Sequence, residues 1–197
     1  MAIVVKHEKR RIEILEKALE VFVDDGFENT TFQKIADRCG ITRTTLYIYF
    51  RNKREIFNFS IKQLLIRAEE DIKEIQANKN LNSVEKLTLI LLDVLKLLEQ
   101  NQRLLSVILD FLLHLPKNEG SPEIRVRRRT LRLRRIISAM IIEGIKAGEL
   151  KKVKIKTADD FLYSIIEAAI FHLVVLKRKN LSGMKDIIIF AVKQFAV

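Results

Sequence analysis

The chain has 197 residues, with 36 Lys and Arg against 25 Asp and Glu, a formal net charge of +11, one cysteine, two prolines and six glycines. That length allows one large domain or two small ones, each with a buried core, and a single cysteine excludes an intramolecular disulfide. Bulk charge does not mark a nucleic-acid site: residues 1–62 carry 12 Lys and Arg against 9 Asp and Glu, and the remainder carries 24 against 16.

The first predicted helix spans 9–24, with Ile12, Leu15, Ala18, Leu19 and Phe22 at helical spacing, Asp25-Gly26 as its stop and Phe27 turned inward. Its basic start, Lys9-Arg10-Arg11, has two readings, a phosphate contact or a solvated charge run. Thr31 is placed to cap a second helix. Ile35 and the small Ala36 point inward, so another helix can approach closely. Cys39 is read as a buried, inert thiol, and Gly40 supplies the left-handed residue that ends the helix. Ile41 returns to the core and Thr42 caps a short helix over 43–49, with Leu46 and Phe50 inward. Arg43, Thr44, Thr45, Tyr47 and Tyr49 are left outside. A helix-turn-helix of this kind sets the first residues of its second helix against base edges. A plain helical hairpin shows similar spacing. The outer face favours DNA: no Asp or Glu occurs between Gly40 and Arg54, where Arg43, Arg51, Lys53 and Arg54 are basic.

Asn52 is placed to cap a long helix over 53–76, whose N-terminus beside Lys53 is a natural phosphate site. This helix is the expected lever between the two halves of the chain. Ser83 is expected to cap a helix to 98, with Val84, Leu87, Leu91, Val94, Leu95 and Leu98 as its apolar stripe. A helix over 102–115 ends at Pro116 and a polar loop covers 117–121. Pro122 opens a helix that Gly148 stops. A short alternation at 153–155 is the one strand-like signal. Thr157 is expected to cap a helix over 157–177, and the last helix spans 182–195. The expected fold is all-α, with about nine helices.

The last two helices are apolar on more than one side and need cover there. The readings are a central helix in a monomer or a homodimer in which helices 157–177 and 182–195 of two subunits form a bundle. Within the Arg125–Arg135 cluster, Arg125, Arg128, Arg132 and Arg135 form one stripe, while Arg127 and Arg134 lie elsewhere; a solvated face paired with acids, an anionic-ligand site and an acidic partner all fit. His7, His114 and His172 lack metal-ligand spacing to each other or to Cys39. No phosphate loop or nucleophile motif occurs, so neither enzyme, metal site nor cofactor is expected. The N-terminal apolar run is too short for a signal peptide. The stretch 161–176 is interrupted by Glu167 and His172 and falls short of the ~20 residues that span a bilayer. A soluble cytoplasmic protein without a membrane partner is expected.

The segment KRRIEILEKALEVFVDDGFENTTFQKIADRCGITRTTLYIYFRNKREIF resembles the DNA-binding domain of the TetR family of transcriptional regulators. The features are a first helix ending in Phe and Gly-Phe, the Thr30-Thr31 pair, Ile35-Ala36 with Gly40-Ile41, Thr45-Leu46-Tyr47, and Tyr49-Phe50 before Asn52-Lys53. The resemblance implies a helix-turn-helix DNA-binding domain over 1–52 and a helical-bundle ligand-binding and dimerisation domain over 53–197. It implies a regulator, with repression the expected sign, that binds a double-stranded operator as a homodimer and answers to a small-molecule effector. Thr42, Arg43, Thr44, Thr45 and Tyr47 are the candidates near base edges; Thr31, Gln33, Tyr47, Tyr49 and Lys53 are the candidates for phosphate. Phe59, Phe111, His114, Tyr163, Phe171 and His172 are candidates for an effector pocket or for plain core. The alternative is a basic helical scaffold or membrane-surface protein without sequence-specific DNA recognition.

Overall fold

The computed structural model describes the backbone of residues 2–113 and 122–197, and the side chains of residues 7–66, 68–113 and 131–197. Among the described residues there are nine helices and no strand. No described helix is long and apolar enough to cross a membrane.

Helix α1, Ala2–Asn29, overruns its expected bounds at both ends and is interrupted at Gly26, with φ 77° and ψ 167°. The first eight residues hold no proline or glycine to stop a helix, so composition sets no sharp start there. At Gly26 the backbone adopts a conformation that costs a residue with a Cβ dearly. The chain turns there and delivers Phe27 to the interior, 5% exposed. The carbonyls left open by the break find donors: Thr30 Oγ1 donates to Gly26 O at 2.6 Å, Lys34 Nζ to Asn29 O at 3.2 Å, and Lys53 Nζ to Phe27 O and Glu28 O, both at 2.9 Å.

Helices α2 (Phe32–Cys39), α3 (Arg43–Tyr49) and α4 (Lys53–Ala77) follow close to expectation. Asn52 caps α4, its Oδ1 accepting from Glu55 N at 2.8 Å, while Glu55 Oε2 accepts from Arg51 N at 2.6 Å. Helix α5 (Ser83–Gln100) is capped by Asn82, one residue earlier than expected, in a reciprocal box with Glu85. Ser83 is engaged elsewhere, its N–H donating to Glu149 Oε2 at 2.7 Å. Hydrogen bonds from Ser83 hold the Glu149 carboxyl below the usual carboxylate range. Helix α6 (Gln102–Leu113) and helix α7 (Pro122–Lys146) come next, and Gly148, with φ 73°, ends the latter region as expected. Helix α8 (Ile155–Val174) begins two residues before Thr157, at an N-cap, Lys154, that makes no side-chain cap. The alternation at 153–155 is therefore no strand: the apolar side chain of Ile155 opens the helix instead. Helix α9 spans Ser182–Lys193, and an isolated antiparallel bridge joins Leu150 and Ala196.

The chain forms two compact units. One comprises Met1–Glu69 with Arg103–His114, the other Glu70–Gln102 with Leu115–Val197. The first unit takes in the start of α4 and all but the first residue of α6, because these complete a shared aromatic core. Phe27 lies 5.8 Å from Phe22, 5.1 Å from Phe57 and 4.4 Å from Phe111, ring centre to ring centre. Arg103 of α6 donates to Val23 O at 3.2 Å and pairs with Asp24 at 3.3 Å. In the second unit α5 packs against α7, α8 and α9, with Leu87, Ile90, Leu91, Leu95, Ile137, Leu162, Ile188 and Val192 fully buried. Along α8 and α9 a set of apolar side chains stays outside this core: Phe161, Phe171, Val175, Ile187, Ile189 and Phe190, each at least 41% exposed.

Because Phe111 is the only ring that α6 adds to the first unit's aromatic cluster, Phe111→Ala is expected to destabilise that unit by about 3 kcal/mol or more. Urea unfolding followed by far-UV circular dichroism measures it; a loss below about 1 kcal/mol contradicts a core role for this ring.

Candidate DNA-binding surface

The turn between α2 and α3 forms as its residue types demand. Thr31 caps α2, its Oγ1 accepting from Lys34 N at 3.2 Å. Gly40 sits in the left-handed region, φ 66° and ψ 36°, its N–H donates to Asp37 O at 3.1 Å, and Ile41 N donates to Ala36 O at 3.0 Å. This is a Schellman-type end, which closes the orphan carbonyls of α2 and reverses the chain. Thr42 then caps α3, accepting from Thr45 N at 3.1 Å, and its hydroxyl lies 2.8 Å from that of Thr45. Ile35, Ala36 and Leu46 are completely buried where the two helices meet, and Phe50 is 2% exposed. Phe50 itself lies just past the helix in extended backbone. Cys39 is buried, and burial pushes its thiol up from the ordinary range, away from thiolate chemistry.

The outer face of α3 carries Thr42, Arg43, Thr44, Tyr47 and Ile48, all exposed, with Thr45 and Tyr49 half-buried at its edges. Two rings on this helix are braced. Tyr47 stacks on Phe32 of α2 at 4.6 Å and 27°, and its hydroxyl accepts from Arg43 Nη2 at 3.2 Å. Tyr49 stacks on His7 of α1 at 4.5 Å and 23°. Ile48, at 70% exposure, is a residue that sequence reasoning passed over. The available signal was phase: it lies four residues after Thr44 and off the Leu46–Phe50 face.

The remaining candidates are occupied to different degrees. Gln33 donates to Asp37 at 2.7 Å on the exposed side of α2. Thr31 uses its hydroxyl as the cap. Lys53 spans two α1 carbonyls and lies over the Phe27 ring at 4.7 Å; an ammonium has three N–H donors. Of the basic run at the start of α1, Arg10 donates to Glu13 at 2.8 Å and to Cys39 O at 3.3 Å, and Arg11 lies over the rings of Phe50 and Phe59 at 5.3 and 4.4 Å. Arg38 pairs with Glu20 and Asp24, and those hydrogen bonds hold its guanidinium more firmly protonated.

The described pocket candidates divide between the two units. Phe59 and Phe111 belong to the first unit, the former under Arg11 and the latter in the aromatic core. Tyr163 is buried in the second unit with Arg134 5.4 Å from its ring centre, whereas Phe171 is 51% exposed. His172 lines a groove of about 340 Å³ with Arg178, Leu181, Met184 and Ile187. His114 lies outside the described residues, as do the side chains of Arg125, Arg127, Arg128 and Arg129. In the described part of that cluster Arg134 bonds Asp159 Oδ2 at 2.8 Å and Asp160, holding the Asp160 carboxyl below the usual range, while Arg132 and Arg135 are exposed. No group of three His, Cys, Asp or Glu among the described residues is arranged to hold a metal ion.

A capped two-helix hairpin with an acid-free, basic and hydroxyl-bearing outer helix, inside an all-helical chain, defines a helix-turn-helix transcriptional regulator. Residues 14–58 match the family model described as bacterial regulatory proteins, tetR family. The chain is 30% identical over 149 residues to the uncharacterized HTH-type transcriptional regulator YfiR of Bacillus subtilis (strain 168), an overlap of 75% of this chain and 71% of that protein. It is 27% identical over 175 residues to the fatty acid metabolism regulator protein of the same organism, covering 81% of this chain and 80% of that one. Its fold matches the crystal structure of the transcriptional regulator FadR from Bacillus subtilis in complex with stearoyl-CoA with a TM-score of 0.66, at 24% identity over 91% of this chain and 96% of that one. The chain belongs to the TetR family of regulators, and the scaffold or membrane-surface alternative falls away.

Proposed function

We propose that this protein is a homodimeric repressor that leaves its operator when a long-chain acyl-CoA binds, with no enzymatic step of its own. Residues 1–52 serve as the DNA-binding domain and residues 53–197 as the ligand-binding and dimerisation domain. The observation that carries the DNA reading is the outer face of α3, which presents donors and hydroxyls with no carboxylate among them.

In this reading Thr42, Arg43, Thr44, Thr45 and Tyr47 lie near base edges, and Ile48 adds an apolar contact of the kind that recognises a thymine methyl. Thr31, Gln33, Tyr47, Tyr49 and Lys53 serve the phosphates, which position the helix without reading sequence. Dimerisation uses α8 and α9: Phe161 and Phe171 on one with Val175 at its C-cap, Ile187 and Phe190 on the other, are exposed apolar side chains that a second copy would bury. Two recognition helices then meet two half-sites, as a palindromic operator requires. The effector class rests on the names of the similar regulators, one concerned with fatty acid metabolism and one bound to stearoyl-CoA. Coupling of about 1–3 kcal/mol between effector and DNA is enough for such a switch, and α4, which begins beside the recognition helix and continues into the second unit, is the natural carrier.

Arg43→Ala is expected to weaken specific binding by about 1–3 kcal/mol and non-specific binding by less; fluorescence anisotropy on selected and scrambled duplexes measures both, and equal losses refute base contact. Phe190→Glu is expected to convert the dimer to monomer in sedimentation equilibrium, and an unchanged dimer mass rules out the α8–α9 interface. Stearoyl-CoA is expected to lower operator affinity by about 5- to 150-fold while free CoA leaves it unchanged. No effect of the thioester in the same anisotropy assay removes the acyl-CoA assignment.

A further inference from the structure

The first turns of α1 reach the recognition helix from outside the segment that the family model matches, which begins at residue 14. His7, Arg10 and Arg11 lie at i, i+3 and i+4, hence on one face of α1. All three touch the helix-turn-helix. Arg10 Nη2 donates to Cys39 O at the end of α2, Arg11 lies over the Phe50 ring just after α3, and His7 stacks on Tyr49 at 4.5 Å. The two arginines fix backbone and core. His7 instead contacts the side chain of a proposed phosphate-binding residue, and it does so from an exposed position, where little apolar area is gained for stability.

We propose that His7 is a positioning residue for operator binding, which holds the Tyr49 ring in one rotamer at the end of α3. This rests on the DNA-binding reading above. Tyr49 is the last residue of a seven-residue helix, where side chains and backbone fray most readily. Tyr47 on the same helix has the equivalent support from Phe32, at 4.6 Å and 27°, so each tyrosine of the recognition helix is braced by a ring from another helix. A braced ring loses less rotamer freedom when it meets phosphate, so the stack is read out as affinity.

The test uses the full chain and a duplex that the wild-type protein has selected from a random pool. His7→Ala is expected to weaken binding to that duplex by about two- to tenfold, the scale of an aromatic pair, with an unchanged thermal midpoint. His7→Phe, which keeps a ring, is expected to bind as wild type. In a Tyr49→Ala background, His7→Ala is expected to have no further effect. Wild-type affinity for His7→Ala, or an equal loss in the Tyr49→Ala background, overturns the proposal. The selection itself separates the two failures: if it enriches no duplex, the DNA-binding reading has failed and takes the inference with it. If a duplex is enriched and His7→Ala binds it as wild type, only the role of His7 is lost.

Discussion

The Phe27 ring is the point on which the first unit turns. Gly26 breaks α1 with a positive φ and sends Phe27 inward, where it meets rings from α1, α4 and α6. Lys53, at the start of α4, lies over the same ring and bonds the two carbonyls that the break exposes. The lysine supplies donors to two part-buried or exposed α1 carbonyls from the first residue of α4. The two helices that flank the helix-turn-helix are thus tied at one place. A residue read in sequence as a phosphate contact is a structural clamp.

The recognition helix is too short to stand alone. Seven residues fall well below the length at which an isolated helix is stable in water, so its order comes from its surroundings. Thr42 caps it, Leu46 anchors its inner face, Phe32 and His7 hold its tyrosines, and Gly40 sets the angle at which it leaves α2. Support of this kind leaves Thr44 and Ile48 of the outer face exposed. It explains how Ile48 can stay exposed at 70% beside completely buried Leu46: no described element covers that side, and DNA is the partner that the face suits.

The second unit uses charge differently. Most of the chain's excess positive charge lies after residue 62, yet Arg134 there serves structure, joining α7 to α8 through Asp159, a carboxylate whose side chain is 7% exposed, and through Asp160. Solvent screening limits what the exposed Asp160 partner contributes. The apolar residues of α8 and α9 divide into a set that is buried within the unit and a set left exposed.

Local rules made the helix-turn-helix legible in the sequence. Caps at Thr31, Thr42 and Asn52, the left-handed Gly40 and the inward Ala36 and Leu46 depend on neighbours within a few residues, and each lies where residue type and spacing placed it. Ends without such punctuation were misplaced. The start of α1 has no breaker and α8 starts at Ile155 without a side-chain cap, while at α5 two cap-type residues adjoin and Asn82, boxed with Glu85, caps in place of Ser83. Aromaticity alone did not assign the pocket candidates to a unit. Phe111 lies far along the chain from the helix-turn-helix, but its ring completes the core around Phe27, while Phe171 faces outward. Sequence by itself determined an all-helical chain, the family and the helix-turn-helix, because these follow from contacts over a few residues. Only the tertiary structure decided that α6 belongs with the first unit, that Lys53 clamps α1 and that His7 lies on Tyr49, because each joins residues that nothing in the local pattern connects.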